Sequence, residues 1–249
     1  MTESAFPKKR VLITGAGGRI GSHLARTLND IYTLRLLSLN PLPPDLQAYD
    51  AMLLDIRETD RLTETCRGID AIIHLAGDPS TRATWESVLQ NNIIGTYSVY
   101  EAARRAGVQR VVFASTNHVM GMYDRDHEWP VYSKEPVRPD SLYGVSKAFG
   151  ENIARFYFDR YGVCSICLRI GWFLEKPRDE IGIWMWLSPR DATQIVRCAV
   201  ESSIPFGIFY ATSNNTRRHW DITDTMELLG YFPQDNSETY ASEILGENA

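Results

Sequence analysis

The stretch Thr14-Gly15-Ala16-Gly17-Gly18-Arg19-Ile20-Gly21 lies between a short apolar segment and an amphipathic segment with helical spacing. It contains the pattern G-x-x-G-x-x-G. Gly15 permits a tight turn, Gly18 lets the backbone approach a pyrophosphate, and Gly21 lets the helix lie close to a sheet. The start of a helix also presents free backbone N–H groups and the positive end of the helix dipole. A glycine pattern in this strand–turn–helix position predicts a site for a dinucleotide.

Outward from this turn, apolar segments of strand length alternate with longer segments of helical periodicity. We predict strands at Arg10–Thr14, Thr33–Ser38, Ala51–Leu54, Ala71–His74, Arg110–Ala114, Val163–Ile170 and Phe206–Tyr210. We predict helices at about Arg19–Asn29, Glu58–Arg67, Thr84–Ala106, Ser141–Tyr161, Pro189–Ser202 and Thr223–Leu229. This alternation predicts an α/β fold, a Rossmann-type doubly wound parallel sheet with a small C-terminal elaboration. We expect one domain over residues 1–249, with residues 1–165 mainly on the cofactor side and residues 166–249 mainly on the substrate side.

The composition is that of an ordinary globular protein. Of the 249 residues, 44% are hydrophobic and 23% are charged, and the net charge is −5, whereas nucleic-acid-binding proteins usually carry a basic excess. No segment approaches the roughly 20 apolar residues of a membrane span, and we expect no signal peptide. We expect reduced thiols and no metal site at the four cysteines, Cys66, Cys164, Cys167 and Cys198. The expected protein is cytoplasmic and binds neither nucleic acid nor a membrane.

The ends of the next strands would lie at the same edge of the sheet as the glycine turn. Asp55 could accept a hydrogen bond from an adenine amino group, and His74-Leu75-Ala76-Gly77 would lie along the dinucleotide. Asp55 could equally be an ordinary polar residue at a strand end. Ser38 occupies the place at which NAD-binding proteins usually carry an acidic residue for the ribose hydroxyls. NAD and NADP therefore both stay open as the cofactor, and NAD is our first choice.

Tyr143-Gly144-Val145-Ser146-Lys147 is a Y-x-x-x-K motif near the start of a helix, for which Asp140 or Ser141 is the expected N-cap. Residues four apart share a helix face, so the phenol and the ammonium are neighbours. A free tyrosine has a pKa of about 10 and is a poor base at neutral pH. A nearby cation favours the phenolate, and Lys147 can also hold the nicotinamide ribose. We predict that Tyr143 takes the proton of a substrate hydroxyl while the nicotinamide accepts a hydride.

Hydroxyl and amide side chains follow the fifth predicted strand. We predict that Thr116 hydrogen-bonds the reacting oxygen. Ser115 is the alternative, because the turn after the strand decides which hydroxyl points inwards. We expect Asn117 and His118 to face the substrate. A Y-x-x-x-K pair alone is common on helices, but its place after a nucleotide turn and a Ser-Thr pair indicates a catalytic site.

These motifs resemble those of the extended short-chain dehydrogenase/reductases. The resemblance rests on TGAGGRIG, Asp55-Ile56, HLAG, Asn91-Asn92, Ser115-Thr116 and YGVSK, which span residues 10–147. It implies that Asn92 stabilises backbone or water at the active site. It also implies a homodimer or higher homo-oligomer, with two long helices, about Thr84–Ala106 and Ser141–Tyr161, at the interface. The cofactor contacts that it implies are Gly15, Gly18, Arg19, Ile20, Gly21, Ser38, Asp55, Ile56, Leu75, Ala76, Gly77, Asn92, Tyr143, Lys147 and Ile170.

A narrower resemblance, to uronate dehydrogenases and archaeal NAD-dependent glucose-6-phosphate dehydrogenases, extends almost to the C-terminus. It rests on VVFASTNHVMG, LYGVSKAFGENIARFYFD, LRIG, WLSPRD and LGYFPQDN. Such enzymes oxidise the C1 hydroxyl of a cyclic sugar to a lactone. The resemblance therefore implies a hexuronate or a hexose 6-phosphate as the substrate.

The chain departs from the uronate dehydrogenases on the substrate side. Trp172 stands where they carry a small hydroxyl residue. The place of their carboxylate-binding arginine falls near Ile181, with Arg178 close in sequence. We expect substrate contacts at Thr116, Asn117, His118, Trp172 and Arg178. Further candidate anion contacts, each of which could instead be an ordinary surface charge, are Arg190, Arg217, Arg218 and His219.

Two other functions are compatible with the same cofactor half. A nucleotide-sugar epimerase or dehydratase usually shows an R-x-x-N-x-x-G-P pattern, which does not follow Ile170 here. A non-enzymatic dinucleotide sensor would need neither Tyr143 nor Lys147. Because fold alone cannot separate these functions, the choice depends on the site. We predict an NAD(P)-dependent sugar dehydrogenase that acts on a CH–OH group.

Overall fold

The computed structural model describes residues 8–246. The strands are β1 (Arg10–Thr14), β2 (Thr33–Ser38), β3 (Asp50–Leu53), β4 (Ala71–His74), β5 (Arg110–Thr116), β6 (Cys164–Ile170), β7 (Trp172–Phe173), β8 (Trp186–Leu187) and β9 (Phe206–Ala211). β7 pairs with β8, and the other strands form a seven-stranded parallel sheet in the order β3-β2-β1-β4-β5-β6-β9. The strand order reverses between β1 and β4. In sheets of this kind, ligands bind at this switch point, beyond the carboxyl ends of the strands.

Helices cover both faces of the sheet. They are α1 (Arg19–Leu28), α2 (Thr59–Thr65), α3 (Trp85–Val88), α4 (Gly95–Ala106), α5 (Gly121–Arg125), α6 (Leu142–Tyr161), α7 (Glu180–Met185), α8 (Pro189–Glu201), α9 (Thr223–Leu229) and α10 (Ala241–Leu245). A π-helical segment, Leu89–Ile94, joins α3 to α4. Within residues 8–246, no helix combines the length and the apolar character needed to cross a bilayer.

The side chains of β1 explain why both faces need helices. Val11 and Ile13 lie in a buried cluster with Leu24 of α1. Leu12 lies in the cluster on the other face, with Val99 of α4. Successive residues of a strand point to opposite faces, so a strand that is apolar throughout has to be covered on both. The sheet is therefore doubly wound.

This architecture confirms the predicted Rossmann-type α/β fold. The predicted strands and helices are present, with ends that differ by no more than two residues. The predicted helix Thr84–Ala106 contains the π-helical segment, which apolar periodicity does not reveal. The irregular segment expected after Ile170 contains β7, α7 and β8. These elements are too short to show a period in the sequence.

Candidate active site

The glycine turn between β1 and α1 is too closely packed for side chains. Gly15 has a φ of +70°, and a Cβ there would lie 2.8 Å from the backbone nitrogen of Ala76. A Cβ on Gly21 would overlap the carbonyl oxygen of Gly15. α1 begins at Arg19, and its N-cap Gly18 provides no side-chain cap, so the N–H groups of its first turn remain available to an anion in the adjoining cleft. The turn therefore fits the pyrophosphate of a dinucleotide.

A cleft of about 880 Å³ opens above this turn, at the switch point of the sheet. Of the residues proposed as cofactor contacts, those that line it are Gly15, Gly18, Arg19, Ile20, Gly21, Ser38, Asp55, Ile56, Leu75, Ala76, Gly77, Tyr143, Lys147 and Ile170. Ser115 and Trp172 line it as well. The lining residues that the sequence did not single out are Gly17, Leu37, Leu39, Asn40, Pro41, Leu54, Asp78, Pro79, Asn91, Ala114 and Phe173. Most of these lie at or just after the carboxyl end of a strand, and that position is the signal that could have found them.

Ser38 and Asp55 lie where β2 and β3 reach the cleft. Ser38 is buried, and its hydroxyl accepts a hydrogen bond from the backbone N–H of Asn40 at 3.3 Å. The guanidinium of Arg57 lies 2.6 Å from a carboxylate oxygen of Asp55. This hydrogen bond holds the pKa of Asp55 below its ordinary value, so Asp55 remains an ionised acceptor at neutral pH.

α6 places Tyr143 and Lys147 beside the end of β5. Of the two expected N-caps, Ser141 is the one observed, and its hydroxyl accepts from the N–H of Gly144 at 3.1 Å. Lys147 is only 5% exposed, and its Nζ donates to the carbonyl oxygen of Ala114 at 2.8 Å. Nζ lies 5.8 Å from the centre of the Tyr143 ring. The ammonium and the phenol are thus neighbours within the cleft.

Burial changes the acidity of both groups. It lowers the pKa of Lys147 to about 8 and raises the pKa of Tyr143 to about 12. A hydrogen bond with Thr116 acts in the opposite direction on Tyr143, and the negative charge of Asp78 adds to the increase. Tyr143 therefore needs hydrogen-bond donors and a nearby cation to lose its proton near neutral pH.

The structure separates the two candidate hydroxyls of β5. Successive strand residues point to opposite faces. Ser115 Oγ donates to Oε1 of Glu151 at 2.6 Å, within the core. Thr116 Oγ1 accepts from the backbone N–H of His118 at 3.3 Å and donates to Oδ1 of Asn117 at 3.4 Å. Thr116 lies just outside the cleft lining, close enough to Tyr143 to lower the pKa of the phenol. Thr116 is therefore the hydroxyl that adjoins the phenol.

Asn117 and His118 follow β5, outside the set of residues that line the cleft. The Nδ2 of Asn117, a buried side chain, lies 3.9 Å from Sδ of Met185. Nδ1 of His118 lies 2.7 Å from Oδ2 of Asp140, and the ring centres of His118 and Tyr143 are 6.1 Å apart. Asn117 is thus buried, whereas His118 is partly exposed and lies next to the phenol.

Asn92, predicted as a cofactor contact, lies outside the residues that line the cleft. Its Oδ1 accepts from the N–H of Asp78 at 2.7 Å, and its Nδ2 donates to the carbonyl of Asp78 at 3.0 Å and to Ser146 Oγ at 2.9 Å. A Cβ on Gly77 would lie 2.9 Å from Oδ1 of Asn92. Asn92 therefore ties the turn after β4 to α6, and the neighbouring Asn91 reaches the cleft instead.

The candidate anion contacts of the C-terminal part have partners away from the cleft. Arg190 pairs with Asp235 and Arg217 with Glu238, and Nδ1 of His219 lies 2.6 Å from Oδ1 of Asp124. Arg218 donates to the carbonyl oxygen of Asn215 at 3.0 Å. Arg178 is exposed and lies outside the residues that line the cleft. The expectation that Arg178 contacts substrate is therefore not met by its position.

Comparison with known proteins agrees with this site. The model of the NAD dependent epimerase/dehydratase family matches residues 11–173. The NAD-dependent glucose-6-phosphate dehydrogenase of Haloferax volcanii is 38% identical, over 94% of this chain and 96% of that protein. The L-arabinose 1-dehydrogenase (NAD(P)(+)) of the same organism is 40% identical, over 92% of this chain and 98% of that protein.

A solved structure with bound NAD has the same fold. A mutant of the uronate dehydrogenase from Agrobacterium tumefaciens, complexed with NAD, superimposes with a TM-score of 0.88 and 33% identity, over 97% of this chain and 91% of that chain. The relatives use NAD or NADP, and the glycine turn and cleft of this chain fit the same cofactors. This protein is an oxidoreductase that depends on them. The chain belongs to the NAD dependent epimerase/dehydratase family.

Proposed function

We propose that this enzyme oxidises the C1 hydroxyl of a cyclic sugar to a lactone, with NAD or NADP as the oxidant. The observation that carries this proposal is the placement of Tyr143 and Lys147 in the same cleft as the glycine turn. By their names, relatives that align with most of this chain oxidise glucose 6-phosphate, arabinose or a uronate. These compounds share an anomeric hydroxyl on a sugar ring.

In this proposal, one side chain positions the substrate and two others carry out the proton transfer. The hydroxyl of Thr116 holds the C1 oxygen of the sugar beside the phenol. Tyr143 removes the proton of the C1 hydroxyl, and the ammonium of Lys147 stabilises the phenolate. When bound, the nicotinamide accepts the hydride that leaves C1 as the C1=O bond forms.

The remaining lining residues would hold the cofactor. Backbone N–H groups from Arg19 onwards would bind its pyrophosphate. Asp55 would accept from the adenine, and Ser38 would adjoin the adenosine ribose. Lys147 would also hold the nicotinamide ribose. These residues would hold the cofactor in the same cleft as Tyr143, where it would supply the hydride acceptor.

Replacement of Tyr143 by Phe tests the proposed base. Tyr143→Phe keeps the ring but removes the hydroxyl, so we expect kcat to fall by about 10²- to 10⁴-fold. Cofactor affinity, measured by titration calorimetry, should change little. Tyr132→Phe, at a side chain 42% exposed, is the matched control. If Tyr143→Phe retained most of its turnover, another group would have to be the base.

The fate of the reduced cofactor distinguishes this function from the alternatives. A dehydrogenase releases one reduced cofactor for each sugar oxidised, whereas an epimerase keeps the cofactor bound and reoxidises it. A non-enzymatic sensor produces none. The dehydrogenase relatives make the two alternatives less well supported. Absorbance of the reduced cofactor, compared with lactone formed, is the deciding measurement.

The enzyme is further proposed to be a cytoplasmic homodimer. α6 carries exposed apolar side chains at helical spacing, with Leu142 43%, Val145 44% and Phe156 51% exposed. Tyr97, on the adjacent α4, is 45% exposed. A second copy of the chain would cover this stripe, as two-fold interfaces do.

The proposed cytoplasmic location rests on the cysteines. Free thiols suit a reducing compartment, and those of this chain are Cys66, Cys164, Cys167 and Cys198.

A further inference from the structure

Asp78, Pro79 and Trp172 line the cleft together with Tyr143. Asp78 follows β4 and Trp172 follows β6, so both lie beyond the carboxyl edge of the sheet. Ile170, two residues before Trp172, is paired with Thr116 in the sheet register. This part of the cleft therefore adjoins the hydroxyls proposed to act on the sugar, and its lining decides which sugar is accepted.

Asp78 is fixed in position by its neighbours. Asn92 holds both its backbone N–H and its carbonyl. One carboxylate oxygen accepts from the N–H of Ser80 at 2.9 Å, and the other accepts from Ser87 Oγ. Each oxygen can accept a further hydrogen bond. Asp78 is also close enough to Tyr143 for its charge to raise the pKa of the phenol. A fixed anion with free acceptor sites thus lies near the reacting atoms.

The candidate anion contacts of the C-terminal part are directed elsewhere, and the cation beside the phenol has a backbone partner. Nζ of Lys147 donates to the carbonyl of Ala114. In the C-terminal part, Arg190 and Arg217 are paired with carboxylates, and Arg178 lies outside the cleft lining. A carboxylate or phosphate on the sugar would therefore meet the carboxylate of Asp78 without compensation from these arginines. Like charges placed together in this way oppose binding.

We propose that the enzyme selects a neutral aldose over the corresponding uronic acid or sugar phosphate, and that Asp78 sets this preference. Hydroxyl groups of the sugar ring donate to Asp78, and the apolar face of the ring lies against the indole of Trp172. An anionic substituent brings a like charge instead of a donor. The inference rests on the proposed oxidation of a sugar at C1.

Matched pairs of sugars test this selectivity. The kcat/KM of the wild-type enzyme is measured for galactose against galacturonate, glucose against glucuronate, and glucose against glucose 6-phosphate, with each cofactor. We expect the neutral member of each pair to be favoured on the order of 100-fold. Preference for an acid or a phosphate would overturn the inference and leave the proposed sugar oxidation intact. Oxidation of no sugar, L-arabinose included, would overturn both.

A substitution tests the role of Asp78 itself. Asp78→Asn keeps an oxygen acceptor for the N–H of Ser80 but removes the charge. We expect the ratio of kcat/KM for galactose to that for galacturonate to fall about tenfold or more. Asp159→Asn, which removes an exposed carboxylate at the far end of α6, should leave the ratio unchanged. If the ratio of kcat/KM for galactose to that for galacturonate were unchanged in Asp78→Asn, Asp78 would not determine the preference for neutral sugars.

Discussion

Lys147 is buried, and its Nζ donates to one acceptor within residues 8–246, the carbonyl oxygen of Ala114. Burial lowers its pKa from 10.5 to about 8, so the folded state is penalised for holding the ammonium. The penalty is complete below pH 8. Between about pH 8 and 10.5 the unfolded chain binds more protons than the folded one, so stability rises with pH until the penalty is gone.

Lys147→Met should therefore raise the free energy of unfolding at pH 7, by up to about 3 kcal/mol, while abolishing turnover. The gain should shrink towards pH 10. Urea unfolding at the two pH values, with the exposed Lys134→Met as the control, measures the effect. A variant less stable than the wild type at pH 7 would contradict the assignment of a burial penalty to Lys147.

We expect Ser38 to determine which of NAD and NADP the cleft prefers. It lies at the end of β2 in the cleft lining, and it brings no negative charge to a 2′-phosphate. Ser38→Asp should raise the ratio of kcat/KM for NAD to that for NADP by about tenfold or more, because the carboxylate repels the phosphate and accepts from a ribose hydroxyl. Thr33→Asp, at the opposite end of β2, is the control. If Ser38→Asp left the ratio of kcat/KM for NAD to that for NADP at its wild-type value, Ser38 would not adjoin the adenosine ribose.

At the scale of elements, α6 is anchored to the sheet by a buried charged pair. Tyr143, Lys147 and Glu151 lie four residues apart and therefore share one face of the helix. Oε1 of Glu151 accepts from Nε of Arg169 on β6 at 2.9 Å and from Ser115 Oγ on β5 at 2.6 Å. This network holds the catalytic face of α6 against the ends of two strands.

Glu151→Leu should destabilise the protein by about 3–5 kcal/mol, because it leaves the Arg169 guanidinium buried without its carboxylate. The double variant Glu151→Leu/Arg169→Leu removes both charges and should recover much of that loss. Urea unfolding of the single and double variants compares the two. If the double variant were as unstable as the single one, the unpaired charge would not be the cause.

At the scale of the whole molecule, the exposed stripe on α6 predicts the oligomeric state. A chain of 28.3 kDa should sediment as a dimer in analytical ultracentrifugation. Phe156→Glu places a charge in the stripe. Burying this carboxylate in the dimer interface would cost free energy, so the variant should shift towards the monomer. Phe232→Glu, at a side chain 66% exposed away from α6, should remain dimeric. A monomeric wild-type protein would show that the exposed stripe on α6 is not a dimer interface.

Much of the candidate site could be predicted because the chemistry is local in sequence. The glycine turn needs residues within one strand–turn–helix unit, and Tyr143 and Lys147 need one helical turn. The choice between Ser115 and Thr116 could not be made in this way. The choice depends on which of the two hydroxyls is hydrogen-bonded to Glu151, and Glu151 lies 36 positions after Ser115 in the chain.

The succession of strands and helices, the doubly wound sheet and the cofactor turn could all be predicted from the sequence, since they follow from periodicity and from glycines at which a side chain would clash. The hydrogen bonds of Asn92 to the backbone of Asp78, and the place of Asp78 in the cleft lining, could be seen only in the folded chain. The same holds for the pairing of the C-terminal arginines with carboxylates such as Asp235 and Glu238. These outcomes depend on contacts between segments far apart in the chain, and no local pattern of residues encodes such contacts.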